Sequence, residues 1–182
     1  MSAEEPVFEI LVVRHAIAES AADAPGGDDF TRRLNDRGER RMRRVALGLR
    51  RIVDHLPLVA HSPLTRAVQT ATILDAAFPQ STARREVAAL APGGDADAFL
   101  AWLAEASLGP EAEGGPIAVV GHEPELSHWI GYALCGELRP LVRMKKAAVC
   151  HLAFPGRPAC ERAHILGHYP PAVLSSLSEA SW

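Results

Sequence analysis

Four side chains in this sequence are of types that handle phosphate, and each follows an apolar run. Residues 7–13 read V-F-E-I-L-V-V and end in Arg14-His15. Residues 58–60 lead into His61-Ser62-Pro63, with Arg66 close behind, and residues 117–120 end in Gly121-His122. Guanidiniums match phosphate or carboxylate oxygens with forked hydrogen bonds. A histidine with an ordinary pKa of about 6.5 is largely neutral at pH 7, and neighbouring guanidiniums favour that form further. A neutral imidazole nitrogen can attack phosphorus and hold the group covalently. Phosphate therefore suits this set better than carboxylate. The cations that bind the anion also keep the nucleophile uncharged, and they meet the charge that spreads over the phosphoryl oxygens during transfer.

These residues make a site only if the chain brings the ends of the runs together. The runs alternate with helical patterns, which predicts an α/β fold with a largely parallel sheet covered on both faces. Ligands of such sheets bind beyond the carboxyl ends of the strands, where Arg14, His15, Arg66 and His122 fall. A helix is expected over residues 36–53, capped by Asp36 with Glu39 as capping-box partner. Its apolar face is Met42, Val45, Ala46, Leu49, Ile52 and Val53. Ser62 caps a second helix with Pro63 at its first position, and Leu64, Ala67, Val68, Ala71, Leu74 and Phe78 face the core. A third strand is expected over residues 86–90. Asp95 opens a helix with Phe99, Leu100 and Leu103 inward, and Pro124 opens another that runs to about Cys135. Residues 147–154 and 162–166 read as a final strand pair. The chain 1–182 reads as a single domain with its core over about 7–168 and an irregular tail, 169–182.

Composition narrows the partners. A chain of 182 residues with 48% hydrophobic and 23% charged residues can bury one sizeable core. Its net charge of -3 and 5% aromatics argue against a nucleic-acid partner. The arginines of residues 40–51 accordingly read as a solvated helix face. Cys135, Cys150 and Cys160 match no metal or redox spacing, which fits a reducing compartment. The acidic N-terminus does not read as a signal peptide, and no apolar run approaches the roughly 20 residues that span a bilayer. A cytoplasmic protein without membrane contact is expected.

L-V-V-R-H-A at 11–16 resembles the arginine–histidine motif of the histidine phosphatase superfamily. S-P-L-T-R-A-V-Q-T-A at 62–71 resembles its second arginine motif, and V-V-G-H-E-P at 119–124 its second histidine motif. The short length, R-R-L-N-D-R-G at 32–38 and A-L-A-P-G-G-D at 89–95 are most similar to the SixA-type phosphohistidine phosphatase branch. The resemblance runs over about residues 8–154. It implies a phosphoglycerate-mutase-like three-layer α/β/α sandwich with a minimal lid. It implies that His15 takes the phosphoryl group, that Arg14 and Arg66 bind its oxygens, and that His122 contacts the same group. No metal and no other cofactor is implied. Ala16 stands where the family usually has glycine.

Larger members protonate the leaving group with an acid placed after the third strand. Here that region supplies Asp95, which equally reads as a helix cap. Glu19 and Glu123 lie near the nucleophile loops and are the other candidates, against a default of surface carboxylates. A phosphoramidate leaving nitrogen needs less help than an alkoxide, so a missing acid favours phosphohistidine. His61 reads as structural, Lys145 and Lys146 as facing water. His164 and His168 could share a metal only on a helix, and their segment looks extended. The expected partner is a phosphorylated protein, such as a histidine phosphotransfer or carrier protein. The alternatives are a phosphatase of small phosphate esters or nucleotides, and a catalytically silent phospho-ligand binding module.

Overall fold

The computed structural model describes residues 7–78 and 83–179. The acidic N-terminal stretch 1–6, residues 79–82, and the end of the tail, 180–182, lie outside the described residues.

The first strand, β1 (Val7–Arg14), sorts the two faces of the molecule. Ile10 and Val12 join one apolar cluster and Leu11 and Val13 the other, all four fully buried. A strand apolar on both faces belongs in the middle of a sheet that is covered twice. Five more strands complete that sheet: β2 (Leu58–His61), β3 (Ala83–Glu86), β4 (Ile117–Gly121), β5 (Val149–Pro155) and β6 (His164–Tyr169). Their order is β3-β2-β4-β1-β5-β6. The pairs β1–β4, β4–β2 and β2–β3 are parallel, and β5 and β6 add on antiparallel.

Helices α1 (Asp36–Leu49), α2 (Thr65–Ala77) and α5 (Pro171–Leu177) cover one face through Met42, Leu49, Leu74 and Leu174. Helices α3 (Ala96–Ala106) and α4 (Glu125–Cys135) cover the other through Phe99, Leu103, Trp129 and Ile130. The result is the expected three-layer α/β/α sandwich with a mostly parallel sheet. Register then levels the strand ends: Arg14 stands opposite Gly121, and His61 opposite Val120. The carboxyl ends of β1, β4 and β2 thus finish side by side. Among the described residues no helix is long and apolar enough to cross a membrane.

The structure corrects several local expectations. Helix α1 stops at Leu49, and a turn carries Ile52 and Val53 onward, so the apolar period outlasts the helix. Its cap is Asn35, whose side chain accepts from the Gly38 N–H at 2.8 Å, while Asp36 lies inside the first turn. Glu39 pairs with Arg43 rather than closing a capping box. Ser62 does not cap α2, which begins at Thr65 with no side-chain cap. The third strand is the polar segment Ala83–Glu86, and residues 88–90 form a single 3-10 turn. As an edge strand, β3 is recruited by backbone pairing to β2 and needs no apolar run. The tail expected to be irregular contains α5, which Leu174 anchors against α1.

The α1–α5 contact is tight enough to test. A Cβ built on Gly48 would collide with the backbone carbonyl of Leu174. Overpacking of this kind usually costs about 1–3 kcal/mol. We expect Gly48→Ala to lower the urea midpoint accordingly, with α5 the first element to lose amide protection in hydrogen exchange.

Candidate active site

The levelled strand ends bring His15, Ser62 and His122 to one place. The His15 N–H donates to Gly121 O at 3.0 Å, and the Ser62 N–H to Val120 O at 2.9 Å. The Ala147 N–H, ahead of β5, reaches the carbonyls of both Arg14 and His15, at 3.1 and 3.2 Å. To do so Ala147 takes a left-handed backbone, φ 65°, which a residue with a Cβ adopts at a cost of roughly 1–2 kcal/mol. Ala16 fits without such strain, with a φ outside the left-handed region and its N–H donating to Thr70 Oγ1 at 3.1 Å. Thr70 in turn donates to Arg66 O at 2.7 Å, which ties the loop after β1 to α2.

The state of His15 follows from its neighbours. Its Nδ1 lies 2.7 Å from Ala16 O. A carbonyl only accepts, so the ring proton sits on Nδ1 and the Nε2 lone pair is free. Burial, then the ring of His122, then the charges of Arg66 and Arg14 push the His15 pKa down to about 2; its bond to Ala16 pulls the other way. His15 is therefore neutral at pH 7, with the lone pair of Nε2 available.

His122 is set differently. The two ring centroids are 5.0 Å apart. Burial and the Arg66 charge, with smaller contributions from Arg14 and Arg32, push its pKa down to about 4 against the pull of Asp29. Its Nε2 lies 2.8 Å from Ser62 Oγ, and that oxygen accepts from the Leu64 N–H at 3.3 Å. The hydroxyl oxygen has a second lone pair, so this contact serves either tautomer; where Ser62 donates to Nε2, the one proton of the neutral ring is on Nδ1. That nitrogen is buried and has no partner. Ser62, read from the sequence as a helix cap, instead bonds to the ring of His122.

Three guanidiniums surround the histidines. Arg14 donates through one terminal nitrogen to Met144 O at 2.8 Å. Arg66 donates to the carbonyl and the carboxylate of Asp29, at 2.7 and 2.9 Å. Arg32 holds the other carboxylate oxygen at 2.9 Å. The Nε atoms of Arg14, Arg32 and Arg66 are buried without partners, like His122 Nδ1. Buried donors are nearly always satisfied. Three unsatisfied guanidinium donors in a single charge cluster, beside an unpartnered imidazole nitrogen, make a cradle for an oxyanion. Lys146 joins it: burial first, then Arg14, Arg32 and Arg66, lower its pKa. Lys146 thus sits in the field of the site rather than simply facing water as expected. Lys145 is exposed.

Sequence reasoning assigned no role to Arg32 or Asp29, although Arg32 opens the R-R-L-N-D-R-G stretch. The candidate acids fall in different places. Asp95 caps α3, accepting from the N–H groups of Asp97 and Ala98, and lines a cavity with Trp129 and Tyr132. Its charge does not figure among those acting on His15 or His122. Glu19 is half-buried on the loop after Ala18, where its N–H donates to Arg33 O. Glu123 lies beside Arg14; one oxygen accepts from Ser127 Oγ at 2.6 Å and the other is buried without a partner. His61 turns its Nδ1 to Ser62 O at 3.0 Å. His164 and His168 lie four apart on β6, roughly 13 Å along an extended strand, too far to share a metal ion.

The model of the histidine phosphatase superfamily (branch 1) matches residues 10–88. An uncharacterised protein of Picosynechococcus sp. is 36% identical over 149 residues, covering 80% of this chain and 84% of that one. The chain belongs to the histidine phosphatase superfamily. Solved structures agree on the fold. The protein histidine phosphatase SixA, complexed with tungstate, superposes with a TM-score of 0.74 at 22% identity, over 91% of this chain and 98% of its own. A mycobacterial glucosyl-3-phosphoglycerate phosphatase gives 0.64 at 18% identity, over 88% and 98%. A phosphoglycerate mutase from Bacillus anthracis gives 0.67 at 14% identity, over 97% and 99%. The histidine phosphatase fold here is thus phosphoglycerate-mutase-like.

Two measurements check the state of His122. Losing one preorganised donor usually costs about 10²–10³ in kcat. We expect that loss in His122→Ala and a smaller one in Ser62→Ala, with Ser62→Thr close to wild type. The second measurement is stability against pH. The unfolded His122 binds its proton near pH 6.5 and the folded one near 4, so the unfolded state takes up more protons between these values. Stability is then full above pH 6.5 and falls as the pH drops towards 4. Urea midpoints should show that fall, with His15 adding to it down to about pH 2, and His122→Asn should reduce the slope between pH 6.5 and 4 while leaving the His15 part.

Proposed function

We propose that this histidine phosphatase removes phosphate from phosphohistidine on proteins, through a phosphoryl group carried by His15. Nε2 of His15 attacks phosphorus, the new P–N bond forms, and the substrate P–N bond breaks with its electron pair passing to the substrate imidazole. A substrate ring protonated on its far nitrogen then leaves as neutral imidazole and needs no acid. Water next attacks the phosphoryl group on His15; the P–N electron pair returns to Nε2, and the water protons leave with phosphate. The proton on Nδ1 stays there throughout, donated to Ala16 O. Arg14, Arg66 and Arg32, with His122 Nδ1–H, hold the oxygens while charge shifts between the two partners.

The observation that carries the phosphoramidate reading is the fate of the loop after β3. Its carboxylate, Asp95, is spent on capping α3. A leaving group that must be protonated finds no donor there, whereas imidazole does not require one. The fold shared with SixA supports the same reading. A cytoplasmic location belongs to it, in keeping with the free thiols of Cys135, Cys150 and Cys160.

One observation favours a second reading, a phosphatase of small phosphate esters. Glu123 places a buried, unpartnered carboxylate oxygen near Arg14, and the fold is also that of the glucosyl-3-phosphoglycerate phosphatase. Phosphate release decides between them. We expect wild type, with chelator present, to act faster on a histidine-phosphorylated protein than on an aryl or sugar phosphate. His15→Ala should be inactive on all. Faster turnover of the esters would transfer the assignment to the second reading. Activity retained by His15→Ala would remove His15 from the mechanism.

A further inference from the structure

The arginines on α1 look at first like an ordinary solvated face, yet their placement is uneven. Residues 32–51 hold nine of the chain's 19 Lys and Arg but only two of its 22 Asp and Glu. The chain as a whole is acidic, so this cation excess is segregated.

The excess is also continuous with the active site. Arg14 and Lys146 line one surface cavity together with Arg143 and Lys145. Lys145 also lines the next groove, between α1 and α5, with Arg41 and Arg44. Arg41 and Arg44 in turn border a hollow shared with Arg37, Arg40 and Arg43. Lys145 and Arg41 thus link the oxyanion cradle to the exposed flank of α1. The start of that helix is pinned beside the nucleophile, where the Asn35 N–H donates to Ile17 O at 3.1 Å. From Arg37 to Arg44 the helix rises roughly 10 Å.

Neutralisation within the chain is partial. Arg43 pairs with Glu39 at 2.9 Å and Arg44 with Glu179 at 3.2 Å. Arg37, Arg40, Arg41 and Lys145 have no ion pair among the described residues. Several like charges held together on a folded surface repel one another, and a negative partner relieves that repulsion.

We infer that the basic track from Lys145 along Arg41, Arg40 and Arg37 is the docking surface for an acidic face of the phosphoprotein substrate. This rests on the protein-phosphohistidine reading above. A phosphorylated side chain that reaches His15 brings its own protein surface down over the rim, and the track lies there. Nucleic acid is the less suitable polyanion, because no aromatic side chain lines the three cavities to stack a base. The track speeds encounter and sets orientation; it takes no part in the chemical step.

The test is the triple charge reversal Arg37→Glu, Arg40→Glu and Arg41→Glu, assayed beside wild type. The probes are an acidic histidine phosphotransfer domain phosphorylated on histidine and an aryl phosphate. We expect kcat/KM on the phosphoprotein to fall at least about 10-fold at low salt, through KM and the on-rate. The deficit should shrink as added salt shortens the Debye length from about 10 Å at 0.1 M to about 3 Å at 1 M. The aryl phosphate should turn over unchanged, which also shows that the variant folds. Wild-type kcat/KM in the variant on phosphoprotein would overturn the docking surface while leaving the phosphohistidine reading standing. Equal losses on both substrates would overturn it too, by tracing the effect to the site. Wild type failing on the phosphoprotein while hydrolysing the aryl phosphate would overturn the substrate reading and the docking surface together. A short RNA bound by wild type and released by the variant, with phosphoprotein turnover unaffected, would reassign the track to nucleic acid.

Discussion

The site depends on the parallel pairing of β1 with β4 and of β4 with β2. Pairing Arg14 with Gly121 and His61 with Val120 leaves three strands ending at the same height. The residues that follow, His15, His122 and Ser62, then converge with no further adjustment. A slip of one residue in either pair would exchange inward and outward faces along a fully buried strand. The apolar core on both sides of the sheet therefore guards the register, and through it the geometry of the two imidazoles.

Gathering three guanidiniums and a lysine around two histidines is electrostatically unfavourable, and the structure offsets it in two ways. Some of the charge is answered locally: Asp29 bridges Arg66 and Arg32, Met144 O takes Arg14, and Glu123 lies alongside Arg14. The Arg66 side chain is 6% exposed and Asp29 53% exposed, so this is a buried cation held by a carboxylate from a surface loop. The remainder is answered by keeping both histidines neutral. Burial dominates for each ring, and the arginines add to it. The cation cluster that suits an anion is thus also what preserves the lone pair of His15.

Neutral rings need their protons placed, and a short contact to a carbonyl does that for His15. Ala16 O holds the proton of His15 on Nδ1, while Ser62 Oγ meets Nε2 of His122 and its Nδ1 has no protein partner. Two imidazoles of the same chemistry acquire different surroundings, one from a carbonyl and one from a hydroxyl.

Sequence by itself determined a good part of this. The buried strands, the alternation that sorts their faces, and the residues that follow β1, β2 and β4 were legible, because apolar periodicity and strand-end position are local properties. The superfamily was legible too, since its motifs are contiguous. Only the tertiary structure decided the rest. The polar edge strand β3 is made by pairing to β2, which leaves no pattern in residues 83–86. Helix α5 forms because α1 offers Leu174 a place to pack. Ser62 looked like a cap because serine followed by proline often is one; the ring of His122, sixty residues away, claimed its hydroxyl. Arg32 and Asp29 entered the site by the folding of a loop back onto Arg66. In each case the deciding contact lies between residues distant in sequence, and no local pattern encodes it.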